Sequence, residues 1–182
     1  MKRRLAKFIY FKILGWHVDG HYITLQSIKK AVIIAVPHTS WHDFYIGILV
    51  RGVLGIKVNF VGKKELFVFP FGYFFRALGG RPIDRHNKQN KVQAIAKLFE
   101  NNENFKLALA PEGTRRKVEQ WRTGFYYIAK EANVPIVMFT LDFENKKNTF
   151  SKPFYPTSNV DADFKFMYRF FKGVKGKIPE YS

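Results

Sequence analysis

The sequence predicts an α/β chain: a mixed, largely buried central sheet flanked by helices, with an amphipathic helix at the N-terminus. Three observations predict it. Short β-branched and apolar runs at residues 31–36, 106–110 and 134–141 alternate with segments whose apolar residues recur every three to four positions. The first run, Ala31-Val32-Ile33-Ile34-Ala35-Val36, is apolar without alternation, as a strand covered on both faces should be. The first two runs stop near proline, Pro37 and Pro111, which cannot donate to a sheet ladder. No repeat or low-complexity linker divides the chain, so residues 1–182 are expected to form a single domain.

Residues 3–14 suit an amphipathic helix, with Leu5, Phe8, Ile9 and Ile13 near helical spacing among Lys and Arg. Residues 1–20 are therefore expected to associate with an anionic membrane surface. The other reading of this helix is a terminal element docked on the domain with a solvated basic face. Residues 22–25 read as a short strand, and residues 31–36 as the first central one. The segment 44–53 is apolar nearly all round, which places that helix in protein or lipid. Residues 58–61 read as another strand. Residues 66–75 form the most hydrophobic stretch, and Pro70 and Gly72 within it oppose a straight helix. It is either a lipid-facing aromatic surface or a plain core segment.

Gly79 to Arg85 is a tight, charged segment. Val92, Ile95, Ala96 and Phe99 stand at helical spacing, and Thr123 is placed to cap a helix carrying Phe125, Ile128 and Ala129. Residues 145–159 are turn-rich. Residues 160–182 form a basic aromatic tail that resembles the N-terminus in character, a second candidate for contact with lipid.

Charge narrows the partners. Lys and Arg number 31 against 14 Asp and Glu, a formal charge of +17, which implies an anionic partner: nucleic acid, anionic lipid or a phosphorylated substrate. Charge alone favours a nucleic-acid-binding module, but no zinc-finger, helix-turn-helix or RRM signature accompanies it. The 20 Phe fall in apolar clusters, as in a membrane-facing protein. The absence of cysteine excludes a disulfide framework, a Cys nucleophile and thiolate metal sites. The longest run without charge, residues 31–42, is shorter than the ~20 residues a spanning helix needs, so no transmembrane helix is expected. Lys7 and Lys12 interrupt the apolar N-terminal stretch, which argues against a signal peptide.

The chemistry concentrates on turns that follow strands. His38 and Asp43 on one continuous helix would point about 140° apart. If Ser40 begins the helix, His38 lies outside it, and the Asp43 carboxylate in the first turn can approach the imidazole. A carboxylate on one ring nitrogen fixes the tautomer and leaves the other nitrogen to accept a proton. Ser40-x-x-Asp43 is also close to a capping box, so catalysis and capping both remain open from spacing alone. His38 and His42 are an i, i+4 pair without the further ligands that zinc needs, and no metal is expected. Pro111-Glu112-Gly113-Thr114-Arg115 follows a strand in the same way. If the two strands are parallel neighbours, both turns open on one crevice. Gly113 permits close backbone approach to a ligand, and Arg115 offers a fork of donors to phosphate. Arg81 and Arg85 suit a phosphate too, unless Asp84 neutralises one of them.

Four ordered segments resemble the motif blocks of the glycerophospholipid acyltransferase family, the 1-acylglycerol-3-phosphate acyltransferases and their relatives. They are His38-x4-Asp43, Gly79 to Arg85, Pro111-Glu112-Gly113-Thr114-Arg115 and Val134-Pro135-Ile136-Val137. With the strand leading in, they make residues 31–141 the expected catalytic core. The resemblance implies a glycerol-3-phosphate acyltransferase-like fold and an O-acyltransferase with His38 as general base, oriented by Asp43. It implies that Arg81, Arg85, Glu112, Gly113, Thr114 and Arg115 bind the acceptor, most simply 1-acylglycerol-3-phosphate, giving phosphatidic acid. Another lysolipid or an amino-acid-derived lipid is the alternative acceptor. The implied donor is an acyl-CoA or acyl-carrier-protein thioester, with no cofactor, no metal and no acyl-enzyme. The implied location is peripheral, on the cytoplasmic side of the membrane. The absence of a Gly-x-Ser-x-Gly nucleophile elbow agrees with direct transfer.

Overall fold

A computed structural model describes residues 3–83 and 91–182 of the chain. Its strands are His17–Gly20 (β1), Lys30–Val36 (β2), Asn59–Lys63 (β3), Gly80–Ile83 (β4), Phe105–Leu109 (β5), Ile136–Thr140 (β6) and Lys147–Phe150 (β7). They form one mixed sheet in the order β1-β7-β6-β2-β5-β3-β4. The five strands from β6 to β4 are parallel, β7 runs antiparallel to β6, and β1 is parallel to β7. The helices are Arg3–Lys7 (α1), Tyr22–Ser27 (α2), His42–Leu54 (α3), Phe71–Ala77 (α4), Lys91–Glu100 (α5), Gly124–Glu131 (α6) and Val160–Phe171 (α7).

The unbroken apolar run of β2 divides between two cores. Ala31 and Ile33 face α1 and α3, while Val32, Ile34 and Val36 face α5, α6 and α7. Both faces of the sheet are thus covered, as parallel strands require. α3 presents Ile46, Leu49, Val50 and Val53 to the sheet and stops at Gly55, whose φ of 69° is the left-handed conformation that glycine adopts without strain.

The N-terminal helix differs from its sequence pattern. α1 continues into a π-helical stretch, Phe8–Ile13, and its buried residues are Ala6 and Tyr10. Leu5, Phe8, Phe11 and Ile13 are exposed. Arg3 Nε donates to Val53 O at 3.0 Å, placing a cation on the carbonyl end of α3. The Tyr10 hydroxyl donates to Asn148 Oδ1 at 2.7 Å and lies 2.9 Å from His17 O, which sets the N-terminal helix against β7 and β1. The helix is therefore docked on the domain and still carries a bare apolar side.

Other expectations are corrected. Residues 22–25 are helical, in α2, because Gly20 (φ 77°) ends β1 and Leu25 N–H then donates back to His21 O. Tertiary context overrides the β-branched propensity here. The turn-rich segment contains β7, and the aromatic tail contains α7. That helix buries Met167 and Phe171 in the core while Phe166 and Tyr168 stay exposed. Thr123 holds the N-cap position of α6 but makes no side-chain cap bond.

Replacing Tyr10 by Phe removes the donor to a fully buried Asn148 and should cost about 1–3 kcal/mol. Phe8→Ser, on the bare side, should change stability by less than about 0.5 kcal/mol. Urea unfolding of the two variants checks the docked arrangement; equal losses would contradict it.

Candidate active site

β2 and β5 are parallel neighbours in register, with Ile34 opposite Leu109, so the turns that follow them open at the same end of the sheet. The chain leaves β2 through α3 on one face and β5 through α6 on the other. Ligands of open α/β sheets gather at such a divergence.

In the first turn the chain reverses between Pro37 and His42, and α3 begins. Asp43, in the first helical turn, is buried, and its Oδ2 collects three groups. His38 Nδ1 lies 2.9 Å away, and the N–H groups of Thr39 and Ser40 donate at 2.8 Å each. Oδ1 is buried without a partner among the described residues. The contact from Nδ1 requires that nitrogen to carry the proton, so Nε2 presents its lone pair. Ser40 does not occupy the N-cap: Trp41 does, without a side-chain cap bond. The Ser40 hydroxyl instead meets His42 Nδ1 at 2.8 Å and takes His42 N–H at 3.4 Å. The capping box survives as its returning half, the bond from Ser40 N–H to the Asp43 carboxylate.

Glu112 faces inward. Its two carboxylate oxygens accept from His38 N–H at 2.9 and 3.2 Å, joining the second turn to the first across 74 residues of sequence. Burial pushes its carboxyl up to about 7; the bond from His38 opposes the rise and the Asp43 charge adds to it. Gly113, at φ 66°, holds the left-handed conformation that a side chain would strain, and a Cβ there would displace the Arg122 side chain, whose Nε would lie 2.6 Å away.

A cavity of about 720 Å³ runs beneath α3. His38, Asp43, Gly113, Thr114, Arg115 and Arg116 stand among its lining residues. Ile33, Val50, Ile56, Val58, Phe60 and Phe139 give it an apolar wall. It exists because small residues face it: Ala35 and Ala108 from the sheet and Gly47 from α3. A Cβ built on Gly47 would find no atom within 4 Å.

The structure thus brings His38, Asp43, Glu112, Gly113, Thr114 and Arg115 together. Arg81 does not join them: it is exposed on the edge strand β4 and is not among the cavity-lining residues. Arg85 and Asp84 lie outside the described residues. His42 turns from His38 toward Trp41 and Tyr45, with its ring centroid 4.2 Å from that of Trp41.

Sequence reasoning missed Thr39 and its support. Gly176 is buried so close to the loop that a Cβ would lie 2.6 Å from Thr39 Oγ1 and 3.1 Å from Pro37 Cγ. Ile178 N–H donates to the same hydroxyl at 3.2 Å, and Phe143 N–H holds Lys175 O at 2.9 Å. Thr39 therefore carries the C-terminal segment on its side chain and Asp43 on its N–H. Nothing in the residue types signals this; a backbone donor has no sequence signature.

Glu112 keeps its proton to about pH 7 when folded and releases it near 4.5 when unfolded. The folded state binds more protons in that window. The stability this contributes is full below pH 4.5 and is lost as pH rises through 7. Glu112→Gln retains an acceptor for His38 N–H but cannot ionise. Urea midpoints between pH 4 and 8 should fall less steeply in the variant, and coincident curves would contradict the assignment.

A sequence model of the family described as Acyltransferase matches residues 17–141. The 1-acyl-sn-glycerol-3-phosphate acyltransferase of Streptococcus pneumoniae (strain ATCC BAA-255 / R6) is 30% identical over 135 residues, covering 70% of this chain and 50% of that protein. The chain spans about half the length of this curated relative. The crystal structure of the 1-acyl-sn-glycerophosphate (LPA) acyltransferase PlsC from Thermotoga maritima aligns with 93% of this chain and 75% of its own at a TM-score of 0.63. At 19% identity it shows a shared fold. The matched family region contains β2, β5 and both turns that hold His38 and Glu112, and on that match the chain belongs to the acyltransferase family.

Proposed function

We propose that the protein is an O-acyltransferase that moves a fatty acyl group from an acyl-CoA or acyl-carrier-protein thioester to the hydroxyl of a lysophospholipid. The acceptor we favour is 1-acylglycerol-3-phosphate, with phosphatidic acid as product. One observation carries the reading: an imidazole held on a buried carboxylate stands at the rim of a large apolar cavity that also bears Arg115 and Arg116. The cavity has the size of a small-molecule site and the wall of a hydrocarbon one.

His38 Nε2 takes the proton of the acceptor hydroxyl as its oxygen attacks the thioester carbonyl. Asp43 holds the ring and stabilises the imidazolium that forms. The tetrahedral intermediate collapses, the C–S bond breaks, and the thiolate recovers the proton from His38. Backbone N–H groups of the second turn are the candidates to meet the oxyanion, since His38, Thr39 and Ser40 donate theirs to Glu112 and Asp43. Arg115, with Thr114 and the open backbone at Gly113, suits the acceptor phosphate. Glu112 acts through His38, fixing the backbone from which the imidazole extends. The acyl chain of donor or acceptor fills the cavity beneath α3. No cofactor enters this scheme. No helix among the described residues is long and apolar enough to cross a membrane. The basic, apolar-sided α1 supports peripheral attachment to an anionic surface instead.

The direct test incubates pure protein with a labelled acyl donor and a panel of lysolipids, followed by lipid separation. Transfer to 1-acylglycerol-3-phosphate is expected; transfer to another lysolipid alone would reassign the acceptor. His38→Ala should reduce turnover by about a hundredfold or more with the fold intact, and substantial remaining activity would sink the mechanism. Asp43→Asn should lose most turnover per folded molecule; a variant that is unstable yet fully active would reduce Asp43 to a cap.

Gly47→Leu sets its Cβ in open space beside the cavity and removes a helix-interior glycine worth roughly 0.5–1 kcal/mol. It should raise the melting temperature slightly, abolish use of long acyl chains and spare short ones. An unchanged chain-length profile would show that no acyl chain lies there.

A further inference from the structure

The segment joining β3 to β4 bears the barest apolar surface described in the molecule. Phe69 is 83% exposed, Tyr73 74%, Phe71 68%, Val68 60% and Phe74 59%. Scattered exposed hydrophobics are ordinary, but five large ones within residues 68–74 make a contiguous patch, and such patches mark contact with a partner.

The segment is a built platform. Phe67 is buried beneath it, and Arg76 Nη1 donates to Phe67 O at 3.1 Å while its guanidinium lies 5.7 Å from the Phe67 ring centroid. Gly72 N–H donates to Val68 O at 2.7 Å, and any Cβ on Gly72 would lie 2.1 Å from Phe67 O. The inner side is thus pinned and tightly packed. The outer side offers aromatic hydrocarbon to whatever lies beyond it.

Its position relates it to the cavity. Phe75, on the inner side of α4, packs on Phe44 at 6.5 Å between ring centroids, and Phe44 packs on Phe60 at 5.2 Å. Phe44 and Phe60 both line the cavity. The last turn of α3 ties the platform to the N-terminal helix as well. Arg51 Nη1 donates to Leu78 O, just after α4, while Val53 O accepts from Arg3 in α1. Two bare apolar surfaces therefore hang from one end of one rigid helix.

Charge identifies the occupant. Lys64, Arg76 and Arg81 are exposed around the platform, against Glu65 alone among the described carboxylates of this segment. Cations bordering exposed aromatics match anionic headgroups above acyl chains. We infer that residues 68–74 insert into an anionic phospholipid bilayer and hold the α3–β3 side of the cavity against it. The acceptor then reaches His38 from the bilayer. That last step rests on the acyltransferase reading; the insertion does not.

The test is co-sedimentation with phosphatidylglycerol vesicles and, separately, with phosphatidylcholine vesicles. The parent protein should prefer the anionic vesicles. Phe69→Ser/Phe71→Ser/Phe74→Ser should bind them about tenfold or more weakly, with an unchanged circular dichroism spectrum. Its turnover of a monodisperse short-chain acceptor should stay within about twofold of the parent, while turnover of a bilayer-embedded acceptor falls about tenfold or more. Should the triple variant misfold, Phe69→Ser/Tyr73→Ser, at the two most exposed positions, repeats the comparison. Vesicle binding equal to the parent's overturns the inference. So does a parent dimer that the variant lacks, with vesicle binding unchanged, since a second copy then covers the platform. Lost vesicle binding in a protein that turns over no acceptor keeps the platform and removes the acyltransferase reading.

Discussion

One oxygen atom, Asp43 Oδ2, holds the turn after β2 in shape. A buried carboxylate is tolerable only if donors replace the water it has lost. Here the replacements are two successive backbone N–H groups and an imidazole. The two N–H groups force the chain to curl around the carboxylate, and the curl presents the imidazole. Charge-assisted bonds of this kind contribute about 1.5–3 kcal/mol each, so the loop that holds the candidate base is also a stabilising element of the fold. Structure and chemistry share the same bonds.

The second constraint is a void. Protein interiors are packed like organic crystals, and apolar surface left facing water forgoes the stabilisation that burial brings. The chain nevertheless keeps about 720 Å³ open under α3, and does so with alanines on the sheet and a glycine on the helix. Larger side chains at those positions would narrow the space. Keeping it open leaves an apolar wall facing water, as fits the hydrocarbon ligand proposed above.

The parallel centre of the sheet was legible because β2, β5 and β6 are fully covered, and full cover leaves apolar runs in the sequence. β1 and β7 were not, since His17–Gly20 and Lys147–Phe150 are four residues each and mostly polar; β7 buries Phe150 beside Asn148, a polar side chain that gives no apolar run. Among the site residues, His38 and Asp43 could be paired from helical geometry once a helix start was placed between them. The inward turn of Glu112 could not be read, because its partner is a backbone N–H 74 residues away. Arg81 and the cavity residues part company for a similar reason: Arg81 lies on the outermost strand, β4, two strands from β5. The aromatic run 66–75 announced its hydrophobicity but not its direction; only the packing of Phe67 inward and Phe69 outward resolves it.

Gly176 and Ile178, resting on Thr39, have a bearing on time. The hydroxyl of Thr39 and the N–H of Ile178 are separated by 139 residues of chain. At ~5–20 residues per second, a ribosome needs roughly 7–28 s to travel that distance. Throughout that interval the loop carrying His38 exists without the segment that backs it. The turn that holds the candidate base is thus synthesised well before the segment that backs it, while residues 68–74 and their bare aromatic side chains are already made.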